Sequence, residues 1–272
     1  MKFGLIGHPI ARSLSPGLFR AAYDGKYPYE LIQGEDFEAS YQKFLEEYDG
    51  INVTAPFKEL AYAKADIRSE ECSLAKAANL LVKTPEGVKA YNSDLLGVRL
   101  WLQECIDGVG TKEDCNKQMT ALIVGTGGAG RAAAAAAVTL GLKVILMNRN
   151  IERAEKLAED LRDMGYEAEV RRMDDFKECF RESDIIIYNI PTRIPELDTL
   201  TDSDFATGKP KFTLEANYKD PSFDETLTER ITKANPLARH SGGRTWLLYQ
   251  ALTGYEIFTG ERPDLQRMSD VL

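Results

Sequence analysis

The chain has 272 residues, 43% of them hydrophobic and 28% charged, which fits one large folded domain or two modest ones. Its formal net charge of −9 argues against a general nucleic-acid or anionic-membrane surface, so an anionic ligand has to be held by local groups. Cys72, Cys105, Cys115 and Cys179 are scattered with no CxxC pair, which fits a reducing cytoplasm and leaves no metal-ligand spacing.

The opening MKFGLIGHPIARS has too short an apolar run for a signal peptide, and no later run approaches a membrane span. KFGLIG reads as a strand. SPGLFRAAY reads as a helix with Pro16 at its first position and Ser15 as N-cap. YELIQG is a second strand, FEASYQKFLEEY a helix, and GINVT a third strand that Pro56 ends. NLLVKTPEGVKAYN reads as a hairpin turning at Pro85, Glu86 and Gly87, and DLLGVRLWLQECI as an amphipathic helix. GVGTKEDCNKQ (Gly108–Gln118) reads as a loop.

After that loop the rhythm restarts: TALIVG, GAGRAAAAAAVTLG, KVILMN, IERAEKLAEDLRDMG, YEAEV, DDFKECFRES and DIIIYN alternate strand and helix. Such spacing demands a parallel sheet. KFTLEAN is a further strand, and RTWLLYQALTGYEIF a helix carrying Gln250. The run Ala132–Ala137 suits a helix packed tightly on a sheet. His8 reads as a loop residue, His240 as a surface residue, and EDLRD and ERITK as solvated helix faces.

VGTGGAG follows a strand and opens a helix, the setting of a dinucleotide site. Gly125 makes the tight turn, and Gly127 lets the backbone approach a pyrophosphate at the positive end of the helix. Gly128 and Ala129 lie in the same loop. An NAD site places an acid at the end of the second strand to bond the ribose 2′-OH. Here that position reads LMNRN, with Asn148 and Arg149 in place of an acid and Arg153 one helical turn further on. Arginine pairs with a 2′-phosphate, so the expected cofactor is NADP.

Polar residues gather where strands of the first third end: SLSP, NVTAPFK, AANLL and NSDLLG. Ser13 and Ser15 have two readings, a pair of hydroxyls for a carboxylate or a helix cap at Ser15. Asp94 likewise reads as a helix cap or as a site residue, and Ser93 shares the capping reading. Lys58 falls in the first turn of the helix FKELAYAK, where the positive helix end disfavours an ammonium. A carboxylate nearby offsets that, and a Lys/Asp pair of this kind passes a proton to and from an alcohol oxygen. The alternative for Lys58 is an ordinary solvated side chain.

Taken in order, SLSP, NVTAPFK, NLL, NSDLLG, GTGGAG, NRN, NY and YQA resemble the shikimate dehydrogenase family over most of the chain. The resemblance implies an α/β protein of two domains. Residues 1–100 and 240–272 form a substrate domain on a mainly parallel sheet, to which the C-terminal helices return; residues 101–239 form a Rossmann NADP domain. It implies an enzyme that interconverts 3-dehydroshikimate and shikimate. The expected partners are small molecules, with no nucleic acid and no membrane, the expected location is cytoplasmic, and the oligomeric state, monomer or homodimer, stays open. Lys58 and Asp94 look like the catalytic pair. Ser13, Ser15 and Tyr218 look like carboxylate ligands, and Thr54, Asn79, Asn92 and Gln250 like contacts to the ring and its hydroxyls. The cofactor set is Gly125, Gly127, Gly128, Ala129, Asn148, Arg149 and Arg153.

The chain departs from the family pattern at Ser93 for threonine, at NRN for NRT, and at Asn189–Thr192, which by the resemblance form the loop next to the nicotinamide. It also departs at Glu215 for aspartate and at Thr245 and Trp246 ahead of Gln250. A quinate/shikimate dehydrogenase and a non-catalytic NADP-binding regulator on the same scaffold stand as alternatives. Methylenetetrahydrofolate dehydrogenase shares the two-domain plan, but a ring acid explains paired serines better than a pterin does.

Overall fold

The computed structural model describes residues 1–109 and 118–272. Most of the expected Gly108–Gln118 loop, with Cys115, lies outside the described residues. In chain order the first elements are β1 (Phe3–Gly7), α1 (Ser15–Ala22), β2 (Tyr29–Gln33), α2 (Phe37–Glu47), β3 (Gly50–Val53) and α3 (Lys58–Lys64). They are followed by β4 (Ile67–Arg68), α4 (Glu70–Ala75), β5 (Leu80–Thr84), β6 (Gly87–Tyr91) and α5 (Ser93–Asp107). Next come β7 (Thr120–Val124), α6 (Gly128–Thr139), β8 (Lys143–Met147), α7 (Ile151–Asp163), β9 (Glu169–Arg171), α8 (Phe176–Glu182) and β10 (Ile185–Tyr188). The chain finishes with α9 (Pro195–Asp198), α10 (Asp202–Phe205), β11 (Lys211–Glu215), α11 (Glu225–Ala234), β12 (Ala238–Ser241), α12 (Gly243–Thr259) and α13 (Leu265–Asp270).

Two compact units result: Met1–Gly97 with Leu248–Leu272, and Val98–Leu247. The divisions fall within α5 and α12. No described helix is long and apolar enough to cross a membrane.

The first unit holds a six-stranded sheet in the order β2-β1-β3-β5-β6-β4. β5 runs antiparallel to both of its neighbours, and the other pairings are parallel. Ile51 and Val53 of β3 pack with Phe44, Tyr48 and Phe57 on one face. On the other face Phe3 stacks on Phe258 at 4.9 Å, and Phe19 meets Tyr255 edge-on at 4.8 Å. The start of α5 and the part of α12 after Leu247 approach closely. A Cβ at Gly97 would stand 2.6 Å from the Gln250 nitrogen, and one at Gly254 would stand 2.8 Å from Ser93 Oγ.

The second unit is a parallel sheet in the order β12-β11-β10-β7-β8-β9. Counted from β7 as the first strand of the unit, that order is 6-5-4-1-2-3, the doubly wound arrangement. Its topological switch point lies between β7 and β10. Ala132–Ala137 are all fully buried, which lets α6 lie close on the sheet. Lys211 is also buried. Its ammonium donates to the carbonyl of Phe180 at 2.6 Å and to that of Ser183, at the carboxyl end of α8, and burial lowers its pKa to about 8.

Three expectations need correction. Leu14, not Ser15, precedes α1, and no side chain caps that helix; Ser15 and Pro16 are its first two residues. The strand GINVT ends at Val53, and Pro56 belongs to the turn after it. His240 is not a surface residue but part of β12. Its ring stacks on Phe223 at 5.5 Å, Nδ1 lies 2.8 Å from Thr213 Oγ1, and burial lowers its pKa to about 4.

Because Gly97 sets the approach of α12 to α5, Gly97→Ala is expected to destabilise the chain by about 1–3 kcal/mol, the cost of overpacking. Urea unfolding measures this, and a loss below about 0.5 kcal/mol would show that the two helices separate freely.

Candidate active site

The sheet of the first unit decides where its polar residues collect. With β5 reversed, its amino end lies at the same edge as the carboxyl ends of β1, β3 and β6. Ser13 and Ser15 follow β1, Thr54 and Lys58 follow β3, Asn79 precedes β5, and Asn92, Ser93 and Asp94 follow β6. Residues far apart in sequence therefore share one edge, where loops of an α/β sheet hold ligands.

After β3 the chain turns through a cis Ala55–Pro56 peptide, closed by the Phe57 N–H donating to the Thr54 carbonyl at 3.0 Å. Lys58 is the first residue of α3. Its carbonyl accepts from the Ala78 N–H at 2.8 Å, tying α3 to the approach of β5. The Lys58 ammonium donates to Asp94 Oδ2 at 2.5 Å, and the two side chains are 15% and 6% exposed. Asp94 is in the first turn of α5, where the helix dipole favours a carboxylate. The two helix starts act in opposite senses, and the pairing satisfies both.

The cap of α5 is neither Ser93 nor Asp94. Asn92 Oδ1 accepts from the Leu95 N–H at 2.9 Å, and Asn92 Nδ2 donates to the Ala77 carbonyl at 2.7 Å. Asn92 is 0% exposed. It holds the helix start that presents Asp94.

Asn79 joins the cluster from the other side. Its Oδ1 accepts from the Ser93 N–H at 2.7 Å, and its Nδ2 donates to Ser93 Oγ at 3.0 Å and to Gln250 Oε1 at 3.3 Å. Ser93 Oγ also donates to Gln250 Oε1 at 3.3 Å. Asn79, Ser93 and Gln250 thus form one hydrogen-bonded group beside Asp94 in the chain. In the sequence Ser93 reads as a candidate cap and as a variant of a motif; in the structure its hydroxyl is central to this group.

Ser13 and Ser15 stand side by side, with Ser13 Oγ donating to Ser15 Oγ at 3.1 Å and accepting the Ser15 N–H at 3.3 Å. Behind them Tyr255 Oη donates to the Ser15 carbonyl at 3.3 Å. Asn52, which sequence reasoning does not single out, accepts from Tyr29 Oη at 2.8 Å and donates to the Asn79 carbonyl at 3.4 Å. Alternation along β3 gives the clue, since Asn52 shares a face with Thr54. His8 follows β1, with Nε2 3.4 Å from Glu35.

In the second unit Gly125 turns with φ +91° at the end of β7. A Cβ at Gly130 would overlap the Gly125 carbonyl, so the first helical turn packs directly on the glycine turn. A Cβ at Gly127 would meet nothing within 4 Å, which leaves the backbone open to a close ligand. No side chain caps α6, and the N–H groups of Gly128 and Ala129 are in its first turn. These features suit a pyrophosphate.

At the end of β8, Asn148 Nδ2 donates to Thr126 Oγ1 at 2.5 Å, locking the second-strand loop to the glycine turn. Asn150 caps α7 by accepting the Arg153 N–H. Arg149 and Arg153 are exposed and have no carboxylate partner among the described residues. A neutral amide and two guanidiniums without a carboxylate suit a dinucleotide with a 2′-phosphate.

Tyr218 belongs to this second unit, in the loop after β11, and is partly buried. At the start of that loop the fully buried Glu215 carboxylate accepts the Ser222 and Phe223 N–H groups, and burial raises its pKa. Among the described residues no cluster of His, Cys, Asp or Glu could hold a metal ion.

Residues 5–81 match the shikimate dehydrogenase substrate binding domain, and residues 110–202 match the shikimate / quinate 5-dehydrogenase family. The shikimate dehydrogenase of Thermotoga petrophila is 37% identical over 163 residues, 58% of each chain. The alignment to that relative therefore spans little more than half its length. The shikimate dehydrogenase (NADP(+)) of Acinetobacter baumannii ATCC 17978 is 30% identical over 97% of this chain and 98% of its own. Among solved structures, shikimate 5-dehydrogenase of Thermus thermophilus in complex with shikimate is 26% identical, with a TM-score of 0.78 over 100% of this chain and 97% of that one.

Replacing Arg149 by alanine is expected to weaken NADPH binding by about 1.5–3 kcal/mol, the scale of a charged hydrogen bond, while NADH binding stays unchanged. Fluorescence titration with each cofactor reads this out. Equal weakening of both contradicts the 2′-phosphate assignment.

Proposed function

We propose that this chain, which belongs to the shikimate dehydrogenase family, interconverts 3-dehydroshikimate and shikimate with NADP. The observation that carries the proposal is the Lys58–Asp94 pair at 2.5 Å, set beside the Asn79, Ser93 and Gln250 group. A pair with only one function in packing would not need a polar cluster at its side.

When bound, NADPH supplies the hydride that reduces the ring ketone. Lys58 donates a proton to the carbonyl oxygen as it becomes an alkoxide, and accepts it back in the reverse direction. An ammonium has three N–H donors, and the bond to Asp94 Oδ2 fixes the direction of one of them. Asp94 orients the ammonium and accepts a bond from a neighbouring ring hydroxyl. Asn79, Gln250 and Thr54 contact the ring hydroxyls, and Asn92 supports them by holding the start of α5.

Ser13, Ser15 and Tyr218 bind the carboxylate, with hydroxyls that rotate to face it. In the second unit Gly125, Gly127, Gly128 and Ala129 hold the pyrophosphate, and Arg149 and Arg153 hold the 2′-phosphate, with Asn148 bracing the loop. A cytoplasmic location belongs to the same proposal. Three free and buried cysteines, Cys72, Cys105 and Cys179, support it. The intact ion pair speaks against a non-catalytic regulator.

The test is NADP reduction followed by absorbance with shikimate, with quinate and with neither. Shikimate-dependent reduction is expected, and its absence from neutral to alkaline pH overturns the proposal. In the same assay Lys58→Ala is expected to lower kcat by roughly 10²–10⁴-fold, as for loss of a general acid/base. A rise in KM alone would make Lys58 a binder and not a proton carrier.

A further inference from the structure

We propose that Glu215 is a positioning residue for Tyr218, fixing the loop on which that side chain meets the substrate carboxylate. This role rests on the reading above, in which Tyr218 is a substrate contact. Glu215 is the last residue of β11 and is 0% exposed. Its Oε1 accepts the Ser222 N–H at 2.7 Å, and its Oε2 accepts the Phe223 N–H at 3.0 Å. One carboxylate therefore pins the far end of the loop back onto the strand that starts it, and Tyr218 lies within the closed segment.

Other contacts tighten the same loop. Asn217 Oδ1 accepts the Lys219 N–H at 3.0 Å, and Asn217 Nδ2 donates to the Asp220 carbonyl at 2.6 Å and the Pro191 carbonyl at 3.0 Å. Arg193 donates to the Ser222 carbonyl at 2.5 Å and lowers the energy of the Glu215 carboxylate from nearby. Gly243 leaves no slack: a Cβ there would stand 2.5 Å from the Asn217 carbonyl carbon and 2.6 Å from the Tyr218 nitrogen. The backbone of Tyr218 is thus held from several directions, and the Glu215 carboxylate closes the loop on itself. The length of glutamate matters, because aspartate is one methylene shorter and reaches both N–H groups only by drawing the loop inward.

Glu215→Gln keeps the shape and turns an –NH₂ toward one of the two N–H groups. It is expected to raise KM for shikimate about tenfold or more, the effect of losing a charged hydrogen bond, and to leave KM for NADP unchanged. Glu215→Asp keeps the charge and is expected to fall between wild type and Glu215→Gln; it carries the test if the glutamine variant does not fold. In a Tyr218→Phe background the Glu215 change is expected to add no further loss. An unchanged KM for shikimate, an equal loss for both substrates, or the same factor in both backgrounds overturns the inference while leaving wild-type turnover intact. A wild-type chain with no shikimate turnover overturns the functional reading instead, and the inference with it.

Discussion

A lysine ammonium and an aspartate carboxylate, 36 residues apart in sequence, sit 2.5 Å from each other with little exposure to water. Neither would be stable there alone. An unpaired buried charge costs several kcal/mol, and the first turn of a helix is a poor place for an ammonium. Much of the first unit can be understood as the scaffold that makes this pairing possible. A single reversed strand, β5, lets a short hairpin carry the chain from Asn79 back to Asn92 at the same edge. Asn92 then caps α5 and frees Asp94 from that duty. Gly97 and Gly254 let α12 close in, so that Gln250 reaches Asn79 and Ser93.

Contact and support are divided between neighbours throughout. Asn92 holds a helix start while Asp94 holds the lysine. Asn148 bonds Thr126 while the next residue, Arg149, keeps its guanidinium exposed, with no carboxylate partner among the described residues. Asn150 caps α7, the helix that carries Arg153. Side chains with both ends bonded to backbone or to a nearby loop supply rigidity. In the proposed site, side chains one to three positions away present their polar groups to ligands. Such adjacency explains why motifs of this kind run as short polar strings and not as isolated residues.

The alternation of strand and helix is legible in the sequence because buried parallel strands such as DIIIYN and helices with an apolar stripe have distinct periods. The glycine turn is legible because its spacing answers to backbone geometry. The family resemblance points to Lys58 and Asp94, but only the reversed strand brings them together, and pairing of distant strands leaves no local trace. The helix caps escape sequence reasoning for a related reason. Asn92, Ser93 and Asp94 are all good capping residues, and the choice among them is made by the Ala77 carbonyl, which holds the Asn92 amide from outside the helix. His240 reads as a surface residue because a polar side chain in a short strand looks exposed until its partners, Phe223 and Thr213, are known.

In the proposed reaction the Lys58 nitrogen carries the proton during hydride transfer. Chemical rescue isolates that role: Lys58→Ala is assayed with shikimate and NADP in the presence of small primary amines of graded basicity. Turnover is expected to return as amine concentration rises and to depend on amine basicity, with no such gain in the Asp94→Ala variant. Binding of shikimate and NADP without any rescue by amines would contradict it.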